Sequence, residues 1–217
     1  MDINYVYIGA VFVLSIVSII LHELMHGVAA YLLGDDTARL SGRLTLNPLK
    51  HIDPIMSVVL PVCLALMGMP VFGGAKPVPI NTRNLKWGEW GFAIVAIAGP
   101  LTNFILAFIF FAVGYFSGAF TTGEIMDTAL GTICYAGMYL NIGLCLFNLI
   151  PIPPLDGSRV LYALAPEGVQ DFMRKMEQYG IIVIYVLILF SGTLLSQYMR
   201  AGQKGIVEFF CWIVGAQ

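Results

Sequence analysis

Apolar residues fill five long stretches of this chain, and charged and turn-forming residues collect between them. The stretches run from about Tyr5 to Leu33, Pro54 to Met69, Trp90 to Ser117, Thr128 to Ile150 and Tyr179 to Tyr198. A helix needs ~20 apolar residues to cross a bilayer. By that measure four stretches predict full spans. The second is marginal, with 16 residues and Pro61 in its middle. A sixth apolar run, Ile206–Val214, is too brief to span and reads as a tail.

Composition sharpens this picture. Hydrophobic residues make up 59% of the 217 and charged residues only 11%, against about 25% charged in a soluble domain. The chain therefore reads as an integral membrane protein with the lipid bilayer as its surroundings. The net charge of −2 and the lack of a basic patch argue against a nucleic-acid partner. Cys63, Cys134, Cys145 and Cys211 are scattered through apolar segments and read as small hydrophobes rather than disulfides or metal ligands. Met-Asp-Ile-Asn-Tyr at the start lacks the positive region of a signal peptide. Neither repeats nor low-complexity tracts are evident.

Charge between the stretches sets their direction. Residues 34–53 carry Arg39, Arg43 and Lys50, residues 70–89 carry Lys76, Arg83 and Lys86, and residues 151–178 carry Arg159, Arg174 and Lys175. Loop 118–127 has only Glu124 and Asp127, and the N-terminal tip only Asp2. Lys and Arg mark the cytoplasmic side. All three basic segments can be cytoplasmic only if the second stretch dips in and returns. Arg200 and Lys204 then fall outside, against the rule. The expected fold is an all-α polytopic bundle of about four full spans plus one re-entrant segment, with short non-helical membrane-associated segments. It forms a single domain over residues 1–217, with a core of about 5–165 and a C-terminal span and tail of about 179–217.

The first stretch contains His22-Glu23-Leu24-Met25-His26. On a helix, histidines four residues apart project from one face and can share a metal ion. Glu23 stands beside the first of them, where it can take a proton from an activated water. A charged Asp, Lys or Arg at the centre of a membrane helix costs about 2.5–3.5 kcal/mol to insert, and ionisable residues of any kind are rare there. Two of the three histidines in the chain stand in this apolar run beside Glu23, which points to use.

A catalytic zinc site usually takes three protein ligands. Glu89 and Glu124 flank loops, and Glu167, Asp171 and Glu177 read as a solvated surface. Asp35 and Asp36 fall in a turn. Asp156 differs: prolines precede it, Gly157 follows it, and the predicted topology brings it to the membrane face reached by His22 and His26. Its other reading is an N-cap for a helix from Ser158. His51, between Lys50 and Asp53, is a rival ligand but reads first as a surface histidine.

These motifs resemble the site-2 protease family of polytopic zinc metalloproteases. The residues that carry the likeness are His22–His26, Gly99-Pro100-Leu101-Thr102-Asn103 and Leu155-Asp156-Gly157, with Leu33–Pro48, Gly74–Pro79 and Asn148–Gly157 similar to small members without an added soluble domain. The likeness covers roughly residues 15–165. It implies one zinc ion per chain held by His22, His26 and Asp156, Glu23 as catalytic acid/base, Asn148 as an oxyanion donor, and a transmembrane protein as substrate, while the basic loops put the site near the cytoplasmic side of the cell membrane. Pro153 stands where the family's Asn-Pro-x-Asp-Gly motif has asparagine, so any hydrogen bond from that asparagine is lost while Asp156 stays. Asn103 and Asn148 also fit plain interhelical hydrogen bonding.

Ser41–Leu46 and Val71–Ile80 are rich in Gly, Pro and β-formers. One of them is expected to offer a strand edge to an extended substrate, or else both are ordinary loops. The alternatives to a protease are a membrane metal carrier, a metalloprotease of another class with a glutamate as third ligand, and an inactive scaffold. Substrate identity and oligomeric state leave no mark on the sequence.

Overall fold

The computed structural model describes residues 5–54, 76–120, 128–190 and 192–216, with positions 59, 63 and 66 standing alone between the first two segments. Its helices are α1 (Tyr5–Leu32), the single turn α2 (Thr37–Leu40), α3 (Glu89–Phe116), α4 (Ala129–Asn148), α5 (Gly157–Leu164), α6 (Glu167–Glu177), α7 (Gly180–Phe190) and α8 (Gly192–Val214). Short 3-10 turns lie at Pro48–Lys50 and Thr82–Asn84. The ends follow local chemistry. The Thr128 hydroxyl accepts from Gly131 N–H to start α4, and Glu89 places a carboxylate in the first turn of α3.

Among the described residues α1, α3 and α4 are long and apolar enough to cross a membrane, and α7 with α8 makes a fourth if that bent pair counts as one span. α3 packs against α1, α4 and α5. His22 meets Asn103 and His26 meets Val95, so α1 and α3 run antiparallel. Asn103 meets Asn141 and Phe110 covers Gly137, so α3 and α4 do too. α1 and α4 therefore run in the same direction, and their C-terminal ends share one end of the bundle. The core away from that end is aromatic: Phe104 and Phe108 of α3 meet Phe210 of α8 edge-on, each with ring centroids 5.2 Å apart.

Two sequence expectations change, and two others fall partly or almost wholly outside the described residues. Ile206–Val214 is not a separate tail but the last third of α8, and Phe210 within it is fully buried in the aromatic core. Arg200, Gln203 and Lys204 interrupt the apolar run without interrupting the helix, because such residues are good helix formers and can face outward. The stretch expected as one span, Tyr179–Tyr198, is divided between α7 and α8, which meet at 87°. α7 ends at Phe190 and α8 begins at Gly192, a residue that weakens helix continuity. No strand occurs among the described residues: Ser41–Leu46 forms turns, Lys76–Ile80 is irregular without a ladder partner, and 71–75 lies outside them. The re-entrant segment expected at 54–69 also lies almost wholly outside the described residues.

Candidate metal centre

The second half of α1 carries His22 and His26 one turn apart, with ring planes at 89° and centroids 4.6 Å apart. Both rings are buried, and both Nε2 atoms point the same way, 3.0 Å from each other. Their Nδ1 atoms are engaged on α3. His26 Nδ1–H donates to the Val95 carbonyl at 2.8 Å, and His22 Nδ1–H donates to Asn103 Oδ1 at 2.6 Å. A carbonyl only accepts, so His26 must carry its proton on Nδ1 and present a lone pair at Nε2.

Asp156 arrives from the loop after α4. Its Oδ2 lies 3.2 Å from His22 Nε2 and 3.4 Å from His26 Nε2. It occupies the N-cap position of α5 but makes no capping bond, so its carboxylate is not engaged in helix capping. Oδ2 is fully buried and has no hydrogen-bond partner among the described residues. Three lone-pair atoms thus face one another, an arrangement that repels unless a cation lies between them. Ligand atoms about 2.0–2.2 Å from one tetrahedral zinc ion stand roughly 3.3–3.6 Å apart, close to the 3.0–3.4 Å seen here. Two imidazoles and a carboxylate suit zinc. The residues present fit the ion.

Gly99 makes the approach of α3 possible. A Cβ there would lie 2.6 Å from His22 Cε1 and overlap the His26 ring. Gly157 has a similar part beside Asp156, since a Cβ would run into the Leu149 carbonyl group.

The site opens into a cavity of about 860 Å³. Glu23 and Asn148 line it with the three candidate ligands, and Phe92, Phe147 and Ile181 form apolar wall. Glu23 Oε2 accepts from Val78 N–H at 3.0 Å. Asn148 Nδ2 donates to the Leu144 carbonyl at 3.0 Å, a bond within its own helix. Glu177, expected on a solvated surface, instead reaches the cavity and pairs with Arg159, whose guanidinium lies 4.9 Å over the Phe92 ring.

Two other residues depart from expectation. His51 is not at the surface: it is 3% exposed, and its Nε2–H donates to the Thr45 carbonyl. Among the described residues the group able to share a metal is His22, His26 and Asp156, without His51. Asp35, expected in an ordinary turn, is fully buried. Its carboxylate accepts from Thr37 N–H and hydroxyl, Asn81 N–H and Asn84 Nδ2. Burial acts to raise its pKa, but these bonds from Thr37, Asn81 and Asn84 outweigh it and hold the carboxyl below the usual range. A helix-period reading has no means of finding either residue, because both are defined by partners distant in sequence.

Comparison with known proteins also points to zinc. The Peptidase family M50 model matches residues 71–192. "Putative zinc metalloprotease YwhC" of Bacillus subtilis is 40% identical over 199 residues, covering 90% of this chain and 88% of its own. "Putative zinc metalloprotease Rip2" of Mycolicibacterium smegmatis is 32% identical over 192 residues, 84% of this chain and 69% of its own. "Zinc metalloprotease MJ0392" of Methanocaldococcus jannaschii is 29% identical over 161 residues, but these are only 36% of its length. No solved structure gives a significant match. Likeness that runs nearly end to end with a protein of similar size leaves one assignment: the chain belongs to peptidase family M50, the site-2 protease family of zinc metallopeptidases.

Proposed function

We propose that this chain is an intramembrane zinc endopeptidase, with His22, His26 and Asp156 holding one zinc ion and Glu23 as its acid/base. The observation that carries the reading is the meeting of Asp156 Oδ2 with both imidazole nitrogens, at 3.2 and 3.4 Å, in a buried place that leaves no capping role for the carboxylate. Zinc bound there supplies Lewis acidity, bringing the pKa of water toward ~7 and drawing charge from a peptide carbonyl.

The chain's own groups do the rest. Val78 N–H holds Glu23 Oε2. The other oxygen, Oε1, takes a proton from the attacking water and returns it to the departing amine nitrogen. Asn148, on the cavity wall, turns its amide from Leu144 toward the carbonyl oxygen that gains charge. Apolar wall residues such as Phe92 and Phe147 keep bulk water from the reacting groups.

A transmembrane protein fits this cavity as substrate, because the cavity opens among helices apolar enough to lie in a bilayer. Nine of the eleven Lys and Arg residues lie in segments 34–53, 76–88 and 157–178, next to the ends of α1, α3 and α4 that carry the site. The basic excess supports a multi-pass arrangement in the cell membrane with the site toward the cytoplasm.

Purified full-length protein is expected to hold one zinc ion per chain by elemental analysis and to cut a model single-span substrate. Asp156→Ala is expected to lose both. Full zinc content in Asp156→Ala would refute the ligand set. A zinc-loaded wild type that carries metal into vesicles and cuts nothing would favour a metal carrier instead.

A further inference from the structure

The bond that orients His22 begins two helices away. On α4 the Gly137 carbonyl can only accept, so the atom of Asn141 that meets it at 2.9 Å is the amide nitrogen, Nδ2. That choice turns Asn141 Oδ1 toward α3, where it accepts from Asn103 Nδ2 at 2.9 Å. Asn103 is then oriented as well, and its Oδ1 faces His22 Nδ1 at 2.6 Å. His22 must carry its proton on Nδ1. With both amides reversed, Asn141 Oδ1 would face the Gly137 carbonyl, acceptor against acceptor. Both asparagines are fully buried, so water is not on hand to offset such a mismatch.

We propose that Asn141 is a positioning residue which, through Asn103, fixes the proton on His22 Nδ1 and keeps the Nε2 lone pair aimed at the metal site. The inference rests on His22 being a ligand. His26 needs no such relay, because the Val95 carbonyl sets its proton directly. His22 faces a side-chain amide, which can offer either a donor or an acceptor, and only the chain back to Gly137 decides which. Groups that hydrogen-bond the second nitrogen of a ligating histidine set its orientation and basicity.

The test compares zinc-loaded wild type with Asn141→Leu and Asn141→Asp, each as full-length protein. Leucine removes the acceptor for Asn103. Aspartate keeps one whether ionised or protonated, and when protonated it can still donate to Gly137. Ring-15N-labelled histidine reports which His22 nitrogen carries the proton, and three histidines in the chain keep the spectrum assignable. Asn141→Leu is expected to yield zinc to a chelator on the order of 10–100-fold more readily, with the His22 Nδ1–H pattern lost. Asn141→Asp is expected to restore both. Asn141→Ala carries the leucine expectation should leucine not fold. A role in helix packing alone gives the opposite order, with leucine tolerated and aspartate not, and that order would overturn the relay. Wild-type behaviour in Asn141→Leu beside a zinc-free His22→Ala would overturn the relay alone. Zinc retained by His22→Ala would overturn the ligand reading and the relay with it.

Discussion

Glu23 on α1 and Val78, far along the chain, are joined by a 3.0 Å hydrogen bond from the Val78 backbone N–H to the Glu23 carboxylate. Val78 stands between Pro77 and Pro79, neither of which has an N–H, so within this tripeptide only Val78 can make the bond. A segment without helix or strand is thereby held at the candidate acid/base.

Glu23→Gln keeps an oxygen that can accept from Val78 but removes the proton acceptor. Zinc content and thermal stability are expected to match wild type, while cleavage falls by about 10²–10⁴-fold or more. Glu23→Ala leaves the buried Val78 N–H unpaired and is expected to lose about 1–3 kcal/mol of stability in addition. Cleavage assays and melting curves of both variants separate these effects. Wild-type cleavage by Glu23→Gln would end the acid/base assignment.

Gly99→Ala tests how closely α3 must approach the histidines. The added Cβ would sit 2.6 Å from His22 Cε1, and neither ring can retreat while its Nδ1 is bound to α3. Overpacking of this kind costs about 1–3 kcal/mol, and here it falls on the candidate metal site. Zinc binding is expected to weaken more than the melting temperature suggests. Zinc titrations indistinguishable from wild type would show that the helices can part without moving the imidazoles.

The helical spacing of His22 and His26 and the Pro-Gly surroundings of Asp156 made most of the candidate site legible, because each is a local pattern. Their power ends where a residue's role is set by a distant partner. Asp35 reads as one of two turn aspartates until Asn81 and Asn84 arrive. Asn141 reads as a polar residue in a span until Gly137 and Asn103 give it direction. Glu177 lies in a charged run, and only the fold brings Arg159 and the cavity to it. Hydropathy misjudged α8 for a related reason: a charged helix face lowers the average without telling which side the remaining apolar residues bury.

Asp35 supplies a prediction for acid. Its folded pKa is depressed, so the stability it gives is present above the unfolded carboxylate value of about 3.9 and is lost as pH falls through the lower folded value. Asp35→Asn is expected to flatten this part of the acid-unfolding profile. At neutral pH it is expected to cost about 1–3 kcal/mol, because the Asn81 N–H then meets an amide nitrogen instead of a carboxylate oxygen. Chemical denaturation at pH 7 and near pH 3 measures both effects. Equal losses at the two pH values would place the contribution of Asp35 outside its charge.

Arg159 and Glu177 tie α5 to the end of α6 just before the chain turns into α7, and residues 178–182 after that turn line the cavity. The Arg159 side chain is 18% exposed and rests on Phe92, so losing its partner leaves a largely buried cation against an aromatic ring. The pair is partly open to solvent, and its removal is expected to cost only about 0.5–2 kcal/mol. The functional effect should be larger than the structural one. Glu177→Gln frees the joint that holds α7 along the cavity without touching His22, His26, Asp156 or Glu23. A looser wall positions substrate less well, so KM is expected to rise several-fold while zinc content stays at the wild-type level and kcat falls less than KM rises. Steady-state cleavage of a single-span substrate, with elemental analysis of the same preparation, reads all three quantities. A fall in kcat with KM unchanged would mean that the pair acts on the reacting groups rather than on the wall that holds the substrate.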